Sequence, residues 1–211
     1  MRITKYTHSC VRLEGDGVLV VDPGVFSVRA ALDGADAVLI THEHVDHLDG
    51  DKLVEALGRR PDVRVYAHPD VLPKLAALGD AVTTVEPGQE FQAAGFPVRA
   101  YGGRHAIIYP ELPGVANLGY LIRDGDMSVY TPGDSFTVPD GARVDTLFVP
   151  LHAPWMKLAE AIDFARAVRP RRAYALHDAL LNENGATISD GHLQRFSGTE
   201  YARVAPGTVL D

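Results

Sequence analysis

The first 22 residues are a series of short β-type runs separated by polar and glycine-rich turns. RITKY, CVRLE and VLVVD therefore read as short strands, and Gly15-Asp16-Gly17 between the last two reads as a hairpin turn. SVRAALDG predicts a short helix closed by Gly34. DAVLIT is apolar on both faces, as a strand inside a sheet must be, and runs directly into the polar segment HEHVDHLDG. DKLVEALGRR sets Leu53, Val54 and Leu57 at helical spacing, and Pro61 stops it before the strand VRVYA. Pro69 opens a second helix, PDVLPKLAALG, which Gly79 ends.

From about residue 82 to 131 the runs VTTVE, FPVRAY, LGYLIRD and MSVYT predict an antiparallel β region, with turns at Glu86-Pro87-Gly88 and Asp124-Gly125-Asp126. The last third alternates: DTLFVP, then KLAEAIDFARAV stopped by Pro170, then RAYALH. That order is a crossover unit with both strands in one sheet. No linker rich in Gly, Ser or Pro, no low-complexity tract and no short repeat divides the chain, so one domain over residues 1–211 is expected.

Composition narrows the classes. With 46% hydrophobic residues in 211, the chain can bury a sizeable core, and a net charge of −8 offers no basic field for a phosphate backbone. A small-molecule substrate is expected, without nucleic acid and without a membrane; self-association stays open. The longest apolar runs, GVLVV and AVLI, fall far short of the ~18 residues of a membrane span. Cys10 stands alone and the first residues lack an apolar leader stretch, which together point to the cytoplasm.

Chemistry concentrates in THEHVDH. His42, His44, Asp46 and His47 fall within six positions immediately after a buried strand, where a loop can curl around an ion. That spacing serves no helix, turn or cap, whereas imidazole with carboxylate suits Zn²⁺, Mn²⁺ or Fe²⁺. No Gly-x-Ser-x-Gly elbow exists, and Cys10 has no electropositive neighbour in sequence to make it a thiolate, so no protein nucleophile is indicated.

THEHVDH resembles the His-x-His-x-Asp-His signature of the metallo-β-lactamase superfamily. THSC resembles an early motif of its L-ascorbate 6-phosphate lactonase-like branch, with Thr7 where that branch usually has Gly, and VVDPG, YTPGDS and ALHD follow in the family's order. The resemblance implies an α/β (α+β) fold, a four-layer αββα sandwich of two mixed β-sheets with helices outside and metals along one edge. It implies two divalent ions per chain, zinc first, with manganese or iron as alternatives. His42, His44 and His105 would hold one ion; Asp46, His47 and His177 the other; Asp134 would bridge. Asp22 and His8 would support the ligands from behind, Asp22 by accepting a ring N–H. His152, Trp155 and Tyr109 lie on loops where substrate contacts are expected. His68 and His192 have no motif around them and read as structural.

The implied activity is hydrolysis of a small lactone, ester or phosphoester by a metal-bound hydroxide, with Asp46 also relaying a proton to the leaving group. A nuclease or phosphodiesterase of the superfamily would call for an inserted domain and a basic surface, and a diiron reductase for a flavin domain. A glyoxalase-type thiolesterase would call for more C-terminal helices. A non-catalytic metal-binding module is the alternative of a different class, against which the intact ligand set argues.

Overall fold

The computed structural model describes residues 1–210. Two seven-stranded sheets lie face to face. The first runs β14-β1-β2-β3-β4-β5-β6 and the second β13-β12-β11-β10-β9-β8-β7. In the first, β1 (Arg2–Lys5), β2 (Val11–Glu14) and β3 (Val18–Val21) form the antiparallel meander with its turn at Gly15–Gly17, while β4 (Ala37–Leu39), β5 (Arg64–Ala67) and β6 (Val82–Thr84) continue in parallel. In the second, β7 (Glu90–Ala93), β8 (Phe96–Gly102), β9 (Leu118–Asp124) and β10 (Met127–Thr131) are antiparallel. There β11 (Thr146–Pro150), β12 (Arg172–Leu176) and β13 (Glu200–Ala202) add in parallel. The final strand, β14 (Thr208–Leu210), pairs back onto β1. Both sheets are mixed, as expected.

Period-two burial builds the layers. Leu118, Tyr120 and Ile122 of β9 face the inter-sheet core with Leu13, Leu39, Val98 and Phe148, while Leu121 between them faces outward. On the outer side of the first sheet, Val20, Val38 and Ile40 pack under α1 (Gly50–Arg59) and a 3₁₀ segment over Pro69–Ala81. On that of the second, Leu147 and Val149 pack under α2 (Leu158–Val168) and α3 (Glu183–Phe196). The result is the four-layer αββα arrangement. Among the described residues, no helix is long and apolar enough to cross a membrane.

Four local expectations need correction. VTTVE does not join the antiparallel region: β6 pairs parallel to β5 at the edge of the other sheet. PDVLPKLAALG forms 3₁₀ turns rather than an α-helix, because Pro73 lies inside it and lacks the N–H an α-helical ladder needs. SVRAALDG shortens to one 3₁₀ turn at Arg29–Leu32. In α1 the inward face carries Lys52 and Leu53, and Val54 points to solvent. Lys52 is tolerated inside because its Nζ donates to the Gly24 and Ser27 carbonyls, both at 2.6 Å, and lies 3.3 Å from Asp49.

Candidate metal centre

The candidate ligands stand where strands end. His42 follows β4, His105 follows β8, Asp134 follows β10 and His177 follows β12, all on the rim outside the strands' C-terminal ends. After β4 the chain curls back on itself, with His47 N and Leu48 N both donating to the His44 carbonyl, and this turn brings His44, Asp46 and His47 together. Two glycines permit the crowding. A Cβ on Gly24 would collide with the Asp46 carbonyl, and one on Gly133, at φ +62°, with Asn117 and Thr41. Those collisions explain the glycines of VVDPG and YTPGDS.

Two groups of side chains converge. One is His42, His44, His105 and Asp134; the other is His8, Asp46, His47 and His177; within each, the ligand atoms lie within 4.8 Å of one another. Asp134 touches both, with Oδ2 3.3 Å from His105 Nε2 and from His177 Nε2, and Oδ1 3.1 Å from His47 Nε2. Asp46 Oδ2 lies 3.3 Å from His177 Nε2 and 3.1 Å from His8 Nε2. His8, expected behind the ligands, thus sits beside them.

Four imidazoles have their orientation fixed from the outer nitrogen. His47 Nδ1 meets Asp22 Oδ2 at 2.7 Å, His177 Nδ1 the His152 carbonyl at 2.6 Å, and His105 Nδ1 the Ala106 carbonyl at 2.5 Å. Each partner is acceptor-only, so each Nδ1 must carry the proton and donate. Thr41 Oγ1 donates to Asp22 Oδ2 at 2.7 Å and so has lone pairs left for His42 Nδ1–H at 2.9 Å. The consequence is that His42, His47, His105 and His177 all turn Nε2 inward. His44 presents Nδ1, 3.0 Å from His42 Nε2.

The inner atoms are short of partners. His105 Nε2, His177 Nε2 and Asp134 Oδ1 are buried without an aligned hydrogen bond, although oppositely charged atoms lie within 3.3 Å. Buried polar atoms are nearly always satisfied, so three such orphans at one point mark a place built for a cation. Nitrogen and oxygen donors around two carboxylates fit divalent Zn, Mn or Fe. Three of the five non-glycine residues with left-handed φ are also here: His8 (63°), Asp22 (48°) and His177 (55°). Strain held where function needs a fixed geometry is the expected pattern.

Residues 2–177 match the family model of the β-lactamase superfamily domain. The chain belongs to the β-lactamase superfamily. It is 40% identical over 205 residues to Protein Rv0786c of Mycobacterium tuberculosis, with 95% of each chain covered. It is 30% identical over 155 residues to a metal-dependent hydrolase of Methanosphaerula palustris, covering 71% of this chain and 67% of that one. The solved metallo-β-lactamase fold protein YhfI of Bacillus subtilis has the same fold, with a TM-score of 0.75 at 19% identity over 99% of this chain and 98% of that one.

In this superfamily member, burial lowers His8, His42 and His44, whereas facing carboxylates raise His47 and His177. Burial, reinforced by neighbouring imidazoles, holds His42 well below the ordinary histidine value and His44 below it, so both are neutral. Burial also acts to lower His47, but Asp134 and Asp22 outweigh it and hold the metal-free ring at about 10. At His177 burial is likewise outweighed, by Asp134 and Asp46, to about 9. Burial acts to raise both carboxyls, yet the facing imidazoles of His177 and His8 and the charge of His47 keep Asp46 low, and His47, His105 and His177 keep Asp134 well down. Two ionised carboxylates thus demand positive charge at the centre. Burial pushes the Cys10 thiol up to about 12, removing it as a nucleophile.

The three loop residues expected at substrate divide differently. Trp155 turns its Nε1–H onto Asp134 Oδ2 at 2.8 Å and packs edge-on to His105, so it positions a ligand. His152 exposes its side chain, and only its carbonyl takes part, on His177. Tyr109 does line a cavity that opens beside His44 and His105. His68 caps the 3₁₀ segment and His192 lies exposed on α3, both structural as expected. Sequence reasoning missed Thr41 and Asn117. Asn117 is fully buried, accepts from Asp134 N at 3.0 Å and donates to the Pro132 carbonyl at 2.9 Å, which sets the Asp134 loop. A polar residue directly before an apolar strand was the available signal.

Proposed function

We propose that this chain is a metal-dependent hydrolase that holds two divalent ions, zinc first, and cleaves a small lactone, ester or phosphoester. The convergence of inward Nε2 atoms on two carboxylates, with three buried atoms left unsatisfied, carries the reading. His42, His44 and His105 would hold one ion and Asp46, His47 and His177 the other, with Asp134 shared and His8 beside Asp46. When bound, the ions supply Lewis acidity, polarising a substrate oxygen and acidifying water.

The chain's own residues do the rest. Asp22, Thr41 and the carbonyls of Ala106 and His152 hold the imidazoles so that no ring need turn during reaction. Asp46 engages its neighbours through Oδ2, and among the described residues Oδ1 makes no hydrogen bond, leaving it to receive the proton of the attacking water. As water oxygen bonds to the acyl carbon or phosphorus and the bond to the leaving oxygen breaks, Asp46 returns that proton to the leaving oxygen.

Elemental analysis of protein purified without added metal or chelator tests this, joined to turnover of lactones, esters and phosphoesters before and after chelation. About two equivalents of Zn, Mn or Fe and chelator-sensitive, metal-restored hydrolysis are expected. Negligible metal after reconstitution, or hydrolysis indifferent to chelation, would overturn the proposal.

A further inference from the structure

Residues between His105 and β9 form a loop whose backbone bonds to the rest of the described residues lie at its base, where His105 N donates to the Val115 carbonyl and Ala106 N to the Asp134 carbonyl. Beyond the tethers, Ile107, Tyr109 and Leu112 are each more than half exposed, an unusual amount of large apolar surface for eight consecutive positions. They line a cavity of about 450 Å³ whose wall also includes His44 and His105. That volume accommodates a small molecule of drug-like size.

One charged side chain lines this cavity, and it is cationic. Arg104 lies along the wall by Gly114 and makes no hydrogen bond or ion pair among the described residues. No carboxylate lines the space, although the chain has 28 acidic residues against 20 Lys and Arg. A guanidinium with its donors open beside an apolar wall, in a cavity lined by no carboxylate although the exposed Glu111 lies on the same loop, matches a ligand with a negative group and an aliphatic body. Arg59, Arg143 and Arg203 are paired with Glu55, Asp145 and Asp190, whereas Arg123, Arg166, Arg169, Arg171 and Arg195 are, like Arg104, exposed without an ion pair among the described residues; what sets Arg104 apart is its place in the lining of this cavity.

We infer that this cavity binds the substrate, an amphipathic ester or lactone whose carboxylate or phosphate is held by Arg104 and whose apolar chain lies along Ile107, Tyr109 and Leu112. As a statement about substrate it rests on the hydrolase reading, since two of the candidate ligands, His44 and His105, are part of the lining; as a statement about binding it does not. The anion fixes the orientation and the apolar wall sets the chain length tolerated.

Calorimetric titration with octanoate, octyl phosphate and 1-octanol tests it, on both chelator-treated and metal-reconstituted protein. At least one anion binds wild type about 10-fold or more tightly than 1-octanol, and Arg104→Gln removes that margin. Ile107→Asp, at a solvent-exposed position, weakens anion binding while leaving the melting temperature unchanged. Equal binding of anion and alcohol, anion binding that survives Arg104→Gln, or no binding of any probe would overturn the inference. A larger margin for octanoate than for octyl phosphate assigns a carboxylate substrate, and the reverse a phosphate. Because chelator-treated protein is included, an Arg104-dependent margin there alongside negligible metal content would refute the hydrolase reading alone.

Discussion

Asp22 is the residue whose replacement separates ligand orientation from ligand identity. It is fully buried, touches no candidate ion position, and accepts three hydrogen bonds: Thr41 N at 2.8 Å on Oδ1, and Thr41 Oγ1 and His47 Nδ1, both at 2.7 Å, on Oδ2. In Asp22→Asn the shape is kept and the amide oxygen can retain the Thr41 N bond. The new NH₂ then faces two groups that were themselves donors. Thr41 can rotate its hydroxyl. His47 can relieve the clash only by moving its proton to Nε2, which withdraws the lone pair it turns toward Asp134. A hydrogen bond to a charged group contributes about 1.5–3 kcal/mol, and each 1.4 kcal/mol is tenfold, so affinity for the ion at His47 should fall by about 10- to 150-fold. That range overlaps the ~10–100-fold typical of such supporting partners. Competition against a chelator of known affinity measures it, with urea denaturation of the metal-free variant confirming a folded protein. Affinity within about twofold of wild type would show that the Asp22 contact does not set the His47 tautomer, and the orientation argument would fail.

Other outcomes follow from the same geometry. Trp155→Phe keeps the ring against His105 but deletes the bond to Asp134, so metal affinity should drop by about 10-fold, whereas Trp155→His, able to donate again, should recover part of it; the chelator competition decides. His44→Ala should abolish chelator-sensitive hydrolysis with little change in melting temperature, because this ring is half-buried and its neighbours hold their own bonds. In metal-free protein, His47 at about 10 and His177 at about 9 lie above their ordinary 6.5. Their stabilisation is complete below pH 6.5 and is lost as pH rises toward 10, so the melting temperature should decline across that window. Over the same window apparent metal affinity should rise, since binding must displace those protons; thermal melts and metal titrations from pH 6 to 10 check both signs.

What could be read from the chain depended on how locally each feature is encoded. The β2–β3 hairpin and the β11–α2–β12 crossover rest on contiguous β-type runs, a glycine turn and a Pro-stopped amphipathic helix, and both stand in the fold. THEHVDH was legible because four candidate ligands of two types, imidazole and carboxylate, share one loop. His105, Asp134 and His177 came only through a family's motif order, since each is a single polar residue after a strand and convergence is a property of the folded rim. VTTVE was misplaced because alternation identifies a strand but not its sheet. The tail was unread: α3 buries only Ala186 and Leu193, so ENGATISDGHLQRF shows little amphipathic stripe. The bond from Trp155 to Asp134 could not be read, because its partner is 21 positions away.

The loop over residues 107–114 has a further consequence, for how such a protein diversifies. Its two ends are pinned by backbone bonds at His105 and Ala106, and none of the converging side chains comes from the span between. Insertions, deletions or apolar exchanges there leave the ligand scaffold unstrained, so substrate preference can drift while the hydrolytic centre stays under separate selection. Duplicated copies of this chain would then diverge first in length and hydropathy at that loop, long before any change in THEHVDH.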